Sequence, residues 1–140
     1  MTTRFKGLVA PAVTPRLFVR GPLCWNYAAD YGLRDTFYDC RDMVRNGVDS
    51  GKMQLWRVND DSWLVTEIIQ DQLFVWCYQG YGLLATIRVL MRIAAQNHLD
   101  YVAFFCRQAA ALRALRCLNP VAQPTLINGE TLYKIRAESP

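Results

Sequence analysis

The sequence predicts an α+β domain built on a mixed sheet, and three observations carry that reading. Three short apolar stretches follow one another between polar turns, the layout of an antiparallel meander. The third leads through glycines into an amphipathic helix and a further apolar strand. That is a β–α–β unit, whose two strands should be parallel neighbours with a right-handed crossover. The chain then closes on Asn128-Gly129 between two extended runs, the dipeptide of a two-residue type I′ hairpin turn.

A chain of 140 residues fits one domain, and 52% hydrophobic with 12% aromatic residues can build a core. A domain of this size buries roughly 70% of its unfolded surface. Sixteen basic against twelve acidic side chains leave +4. That excess suits an anionic ligand, but it would support nucleic-acid binding only if gathered into a patch. The basic residues are spread along the sequence, so nucleic acid is discounted. Cys24, Cys40, Cys77, Cys106 and Cys117 are odd in number, widely spaced and without a CxxC pair. They read as buried free thiols, not as a zinc site or a disulfide framework. His98 is the single histidine, so no histidine-rich metal site is expected. There is no run of 18 apolar residues and no signal-peptide layout. The expectation is no membrane insertion and a reduced, cytoplasmic setting.

Residues 1–23 hold Pro11, Pro15, Pro22, two glycines and four basic side chains. They read as a proline-rich basic arm ahead of a domain spanning 24–140, either packed on it or reaching a partner. Within the arm, Arg16–Arg20 could form a first strand at a sheet edge. From Trp25 to about Asn46 the pattern turns helical. Trp25, Ala28 and Ala29 share a face of a segment that Gly32 interrupts. Phe37, Tyr38, Arg41, Val44 and Arg45 then recur at three-and-four spacing, with Asp35 as N-cap and Asn46-Gly47 as the stop.

The meander strands are 53–58, 63–69 and 73–78. Trp56, Trp63 and Trp76 on them are better read as core than as a partner surface. Glu67 faces the same side as Trp63 and Val65. A carboxylate in a strand either points to solvent, its commoner fate, or stands in a cleft as a base.

The stretch Gln79-Gly80-Tyr81-Gly82 joins the third strand to the helix. Glycines just before a helix let a ligand approach the backbone, while unpaired N–H groups and the positive dipole end face it. That is either an anion site or an ordinary strand-to-helix turn. The helix carries Leu83, Leu84, Ile87, Leu90, Met91, Ala94 and Ala95 on its core stripe, with Arg88, Arg92 and Gln96 on a solvated face. His98 falls at its end as a capping residue. The strand 101–106 follows. A helix over 108–118 then turns Ala111, Leu112, Leu115 and Leu118 inward and is ended by Pro120 and Pro124.

This order of elements resembles the GCN5-related N-acetyltransferase (GNAT) family over roughly residues 25–136, which implies a GNAT-like fold. In that family the sheet splays between its fourth and fifth strands, here 73–78 and 101–106. The acyl-coenzyme A pantetheine lies in the gap, and the pyrophosphate rests on the turn opening the following helix. The family motif Q/R-x-x-G-x-G/A falls on Gln79 to Leu84. Gln79 and Gly82 match, and Leu84 stands where a small residue is expected. The second signature falls on Gln108, Ala111, Leu115, Asn119 and Pro120. Ala111 matches, Gln108 replaces asparagine, and Asn119 can take the left-handed conformation of the family's glycine. The family's tyrosine acid is replaced by Leu115.

The resemblance implies cofactor contacts at Val75, Trp76, Cys77, Gln79, Gly80, Tyr81, Gly82, Leu83, Leu84 and Gln108. It implies acetyl transfer from acetyl-CoA to an amine, with Glu67 as base and Tyr78 or Tyr81 standing in as acid. The alternative is a catalytically degenerate relative with a structural or protein-binding role. Short divergent members of tailed bacteriophages, some of them virion-associated, are similar in length and in worn motifs. An amine acceptor or a protein partner, and an oligomer, stay open at this point.

Overall fold

The computed structural model describes residues 2–4, 18–37, 39–80, 82–106, 109–127 and 130–137. The elements in chain order are β1 (Thr2–Arg4), β2 (Phe18–Leu23), α1 (Tyr27–Gly32), α2 (Arg41–Asp49), β3 (Met53–Val58), β4 (Ser62–Ile69) and β5 (Gln72–Gln79). Then come α3 (Leu83–Gln96), β6 (Tyr101–Cys106), α4 (Ala109–Ala114), β7 (Val121–Ile127) and β8 (Glu130–Arg136). Single 3-10 turns lie at Arg34–Thr36 and Arg116–Leu118.

The strands form one sheet in the order β1-β2-β3-β4-β5-β6-β8-β7. β5 pairs with β6 in parallel, as a β–α–β unit requires. The pairs β1/β2, β2/β3, β3/β4, β6/β8 and β7/β8 are antiparallel. This is the mixed α+β sheet that the sequence predicts. Ile127 pairs with Glu130, which leaves two residues for the hairpin turn. Asn128 and Gly129 themselves lie outside the described residues.

The chain divides into two units, one of residues 1–67 and 76–81, the other of 68–75 and 82–140. In the first, α1 and α2 supply Ala29, Leu33, Phe37, Val44 and Val48 to a core shared with Met53, Leu55, Trp63, Val65 and Cys77. Asn26 caps α1, its side chain accepting from the Ala29 N–H at 2.9 Å. In the second unit, α3 buries Ile87, Val89, Leu90, Met91, Ile93 and Ala94, and β6 buries Val102, Ala103 and Phe104.

Several sequence expectations need correction. The strand expected over Arg16–Arg20 is Phe18–Leu23, and it is not at an edge: Thr2–Arg4 pairs outside it. Residues 1–23 therefore place two strands in the sheet. The helix expected from Asp35 starts at Arg41 behind a 3-10 turn and runs through Asn46-Gly47 to Asp49. Gly47 does not stop it. A Cβ there would stand 2.6 Å from Met53 Sδ, so the residue is small because β3 packs against it. Ala28 is exposed, unlike Ala29. The helix expected over 108–118 ends as α4 at Ala114 and passes into the 3-10 turn, with Asn119 left-handed at φ 55°. Of the five cysteines only Cys77 is buried; Cys24 and Cys117 are exposed. Trp56 and Trp63 are core, and Trp76 is half-buried against the first unit's core. His98 is exposed and left-handed just past α3, its N–H donating to the Ala95 carbonyl, in keeping with a cap.

Candidate functional site

The β5–β6 ladder runs from Gln72↔Tyr101 to Val75↔Phe104. β5 continues past it to Gln79, and β6 continues to Cys106 against β8. The step from Val75 to Trp76 is also where the chain passes from one unit to the other.

β5 ends in the glycine turn, and the two glycines there do different work. Gly80 has φ +153°, and a Cβ built on it would stand 1.8 Å from Ser62 Oγ. Its missing side chain is required by packing against the start of β4. Gly82 has φ +73°, ψ 44° and is the N-cap of α3. Chain neighbours aside, nothing among the described residues lies within 4 Å of where its Cβ would be. A side chain is excluded there by backbone conformation, not by the protein's own packing. As N-cap, Gly82 gives α3 no side-chain cap, and no acidic residue lies in the first turn. Among the described residues, the N–H groups that open this 14-residue helix thus have no side-chain cap from the N-cap position and no carboxylate in the first turn against the dipole. One turn in, the Thr86 N–H donates to the Gly82 carbonyl at 2.9 Å. The Thr86 hydroxyl is buried and has no hydrogen-bond partner among the described residues. An orphaned buried hydroxyl and an uncapped N-terminus behind a left-handed glycine fit an anionic group such as a pyrophosphate.

In the first unit, Glu67 is 7% exposed, which overturns the solvated reading. Strand alternation places it with the buried Trp63 and Val65. Trp76 Nε1 donates to Glu67 Oε1 at 2.9 Å, and Lys52 Nζ lies 3.8 Å from Oε2. A buried carboxylate needs such partners. One is a neutral indole held in place, the other an exposed lysine whose pairing water screens. Oε2 is therefore the oxygen with spare accepting capacity.

The remaining predicted residues are placed as follows. Val75 is buried at the ladder's end. Cys77 turns its side chain into the core of the first unit, where burial pushes its thiol up to about 11, so only its backbone can face a ligand. Tyr78 is half-buried and Gln79 exposed near the end of β5. Leu83 and Leu84 are half-buried in the first turn of α3. Tyr81 and Gln108 lie outside the described residues. Leu115, in the slot of the family tyrosine, is fully buried. Sequence reasoning missed Lys52 and Thr86, and it missed the bond that Trp76 makes to Glu67. The indole of Trp76 and the ammonium of Lys52 meet Glu67 only through strand pairing. Thr86 escapes a stripe drawn from hydrophobic residues alone. No group of three or more metal-binding side chains occurs among the described residues.

Fold and strand order together define the class: this is the fold of the GNAT N-acetyltransferases. No family model matches the chain, and no curated protein matches it in sequence. Solved structures do match in fold. The ribosomal-protein-S18-alanine N-acetyltransferase of Escherichia coli aligns with TM-score 0.57 and 10% identity, covering 100% of this chain and 95% of that one. RimJ of Mycobacterium smegmatis, in complex with CoA-disulfide, aligns with TM-score 0.57 and 11% identity over 87% and 82%. The PaiA N-acetyltransferase of Thermoplasma acidophilum, in complex with coenzyme A, aligns with TM-score 0.53 and 7% identity over 80% of each chain. None of the three is a bacteriophage protein, and the likeness is one of fold.

Proposed function

We propose that the protein is an acyl-coenzyme A-dependent N-acyltransferase. The observation that carries this is the uncapped start of α3, where left-handed Gly82 opens onto free space. Two of the solved structures that share the fold hold coenzyme A or its disulfide, which supports the same class of ligand here. The cofactor's pyrophosphate would be held by the N–H groups of Gly82, Leu83 and Leu84. Bound there, the cofactor supplies an activated acyl group as a thioester.

The chain's own part is proton management and positioning. An amine attacks only when neutral, so a base must take its proton. Glu67 is suited to this, with the Trp76 indole fixing Oε1 and the exposed Lys52 able to leave Oε2. The acid role that the resemblance gives to Tyr78 or Tyr81 belongs to the same proposal, and so does acetyl as the group transferred.

The test is thermal unfolding with and without acetyl-CoA. A ligand at 100 times its Kd stabilises by about 2.7 kcal/mol, several degrees for a domain of this size. Gly82→Asn tolerates the left-handed backbone but puts a side chain in front of the helix, so it should fold and lose the shift. No shift at millimolar acetyl-CoA would overturn the cofactor reading, and an unchanged shift in Gly82→Asn would move the site away from α3.

A further inference from the structure

Lysine is scarce in this chain. Of the 16 basic side chains only Lys6, Lys52 and Lys134 are lysines, and the rest are arginine. The ion pairs Arg20–Asp60, Arg41–Asp30, Arg41–Asp42 and Arg45–Asp49 all use arginine as the cation. Glu67 is more buried than any of those aspartates, its side chain being 9% exposed, and it is met by Lys52 instead. As a plain counterion arginine would serve it better, because a guanidinium forks onto both carboxylate oxygens and keeps its proton. An ammonium can lose its proton, and the neutral amine that results is a nucleophile.

The Lys52–Glu67 pair is lopsided. The carboxylate is buried and fixed at Oε1 by the Trp76 indole at 2.9 Å, while the lysine side chain is 70% exposed. Nζ stands 3.8 Å from Oε2, longer than the roughly 2.7–2.9 Å of a charge-assisted hydrogen bond. The lysine is at the carboxylate without being locked to it. Its backbone is the anchored part: the Lys52 N–H donates to Ser50 Oγ and its carbonyl accepts from Gln54 Nε2, each at 3.4 Å. A four-carbon stem thus carries an amine on a fixed pivot, and Lys52, Glu67 and Trp76 all belong to the first unit. An acceptor nitrogen must meet the base and the acyl carbon in one place. With Glu67 as base, the amine that already stands there is the chain's own.

We infer that Lys52 is a site of self-acylation, its Nζ taking the acyl group of an acyl-CoA in cis. This rests on the reading of Glu67 as the base. Glu67 Oε2 accepts a proton from the Lys52 ammonium, and the freed lone pair forms a C–N bond to the thioester carbonyl carbon. The C–S bond breaks and its electron pair leaves on sulfur. Two protons leave Nζ in all: one passes through Glu67 to water, the other ends on the thiolate. The products are a neutral amide at Lys52 and a free thiol. The acylated side chain carries no charge, so it no longer competes with an incoming amine for Oε2.

The test is mass spectrometry of the intact protein and its peptides after incubation with acetyl-CoA, beside thermal unfolding of the same samples. The folded protein should gain one acetyl group, mapped to Lys52, at a rate that does not change when the protein is diluted. Lys134, whose Nζ lies 5.0 Å over the Tyr101 ring in the second unit, is the internal control and should stay unlabelled over that time. In urea the two lysines should label alike and slowly. Glu67→Gln, which keeps an oxygen for the indole, should slow labelling of Lys52 by about 100-fold. Lys52→Arg should take no label and keep the thermal shift with acetyl-CoA. If Glu67→Gln fails to fold, the dilution series and Lys52→Arg still decide. Labelling of Lys134 as fast as Lys52, a rate proportional to protein concentration, or full-rate labelling in Glu67→Gln would each overturn the inference. Stabilisation by acetyl-CoA without label at Lys52 would overturn it and leave the cofactor reading standing. Neither stabilisation nor label would overturn both.

Discussion

At the scale of single residues, the glycine turn shows how one sequence feature hides two constraints. Gly80 and Gly82 look alike in the sequence, and both suggest a backbone cleared for a ligand. Only Gly82 has open space where its side chain would be; Gly80 is filled by Ser62. No pattern in the sequence distinguishes them, because Ser62 lies in the next strand. The difference predicts opposite phenotypes. Gly80→Ala puts a Cβ on top of the Ser62 side chain and asks alanine to hold a positive φ. It should cost about 2–4 kcal/mol in denaturant unfolding with or without acetyl-CoA. Ser62→Gly in the Gly80→Ala background should recover only part of the loss, because the strain stays and so does the Ser62 Cα, 2.8 Å from the new Cβ. If Gly80→Ala is as stable as wild type, the packing of β5 on β4 at this point is not as described. Glu67 was likewise half-legible. Its side of the strand follows from alternation with Trp63 and Val65, while its indole partner comes from a neighbouring strand.

At the scale of elements, strands were read closely and helices less so. β6 falls on the predicted residues because a buried strand is an unbroken apolar run bounded by turn residues, and β3, which also holds Gln54 and Arg57, does so because polar turns set both its ends. The sequence pattern puts the start of α2 five residues too early, since Phe37 and Tyr38 extend its apolar spacing backwards although Phe37 packs from outside the helix. Glycine in a helix is ambiguous from sequence, being either a stop or a close-packing point. Gly32 shows which effect wins at the end of α1. Propensity alone says Gly→Ala gains about 1 kcal/mol in a helix. A Cβ at Gly32 would however stand 2.6 Å from Trp63 Cδ1, on a rigid ring that is 9% exposed and covered by Arg57 at 4.2 Å. Overpacking of that kind costs about 1–3 kcal/mol. Gly32→Ala should therefore lower the urea midpoint, and a raised midpoint would show that α1 can lift off β4 at little cost.

At the scale of the whole molecule, strand order follows from element order once the parallel unit is recognised, because crossover connections leave few alternatives. What stays invisible is where a ladder stops. The end of β5–β6 pairing at Val75↔Phe104 has no signature in two uniformly apolar strands. Cys77 sits two residues beyond that point, and its burial ties the stability of the fold to pH. Burial raises the thiol from 9.0 to about 11, with nearby Cys40 adding to the rise and the Thr36 hydrogen bond opposing it. A folded-state pKa above the unfolded one means that the native state holds its proton longer. The stabilisation is fully present below about pH 9 and is lost as pH climbs through 11, when the unfolded thiol ionises first. The two ends of that window differ by about 2–3 kcal/mol. Cys77→Ala removes the titrating group and leaves a small cavity, so at neutral pH it should be less stable by about 1 kcal/mol. Urea unfolding of both proteins in steps from neutral pH to about 11 should show the wild-type curve falling towards the variant and then crossing it. Parallel curves across that range would mean the Cys77 thiol meets solvent in the native state, and with it that the core around β5 is open.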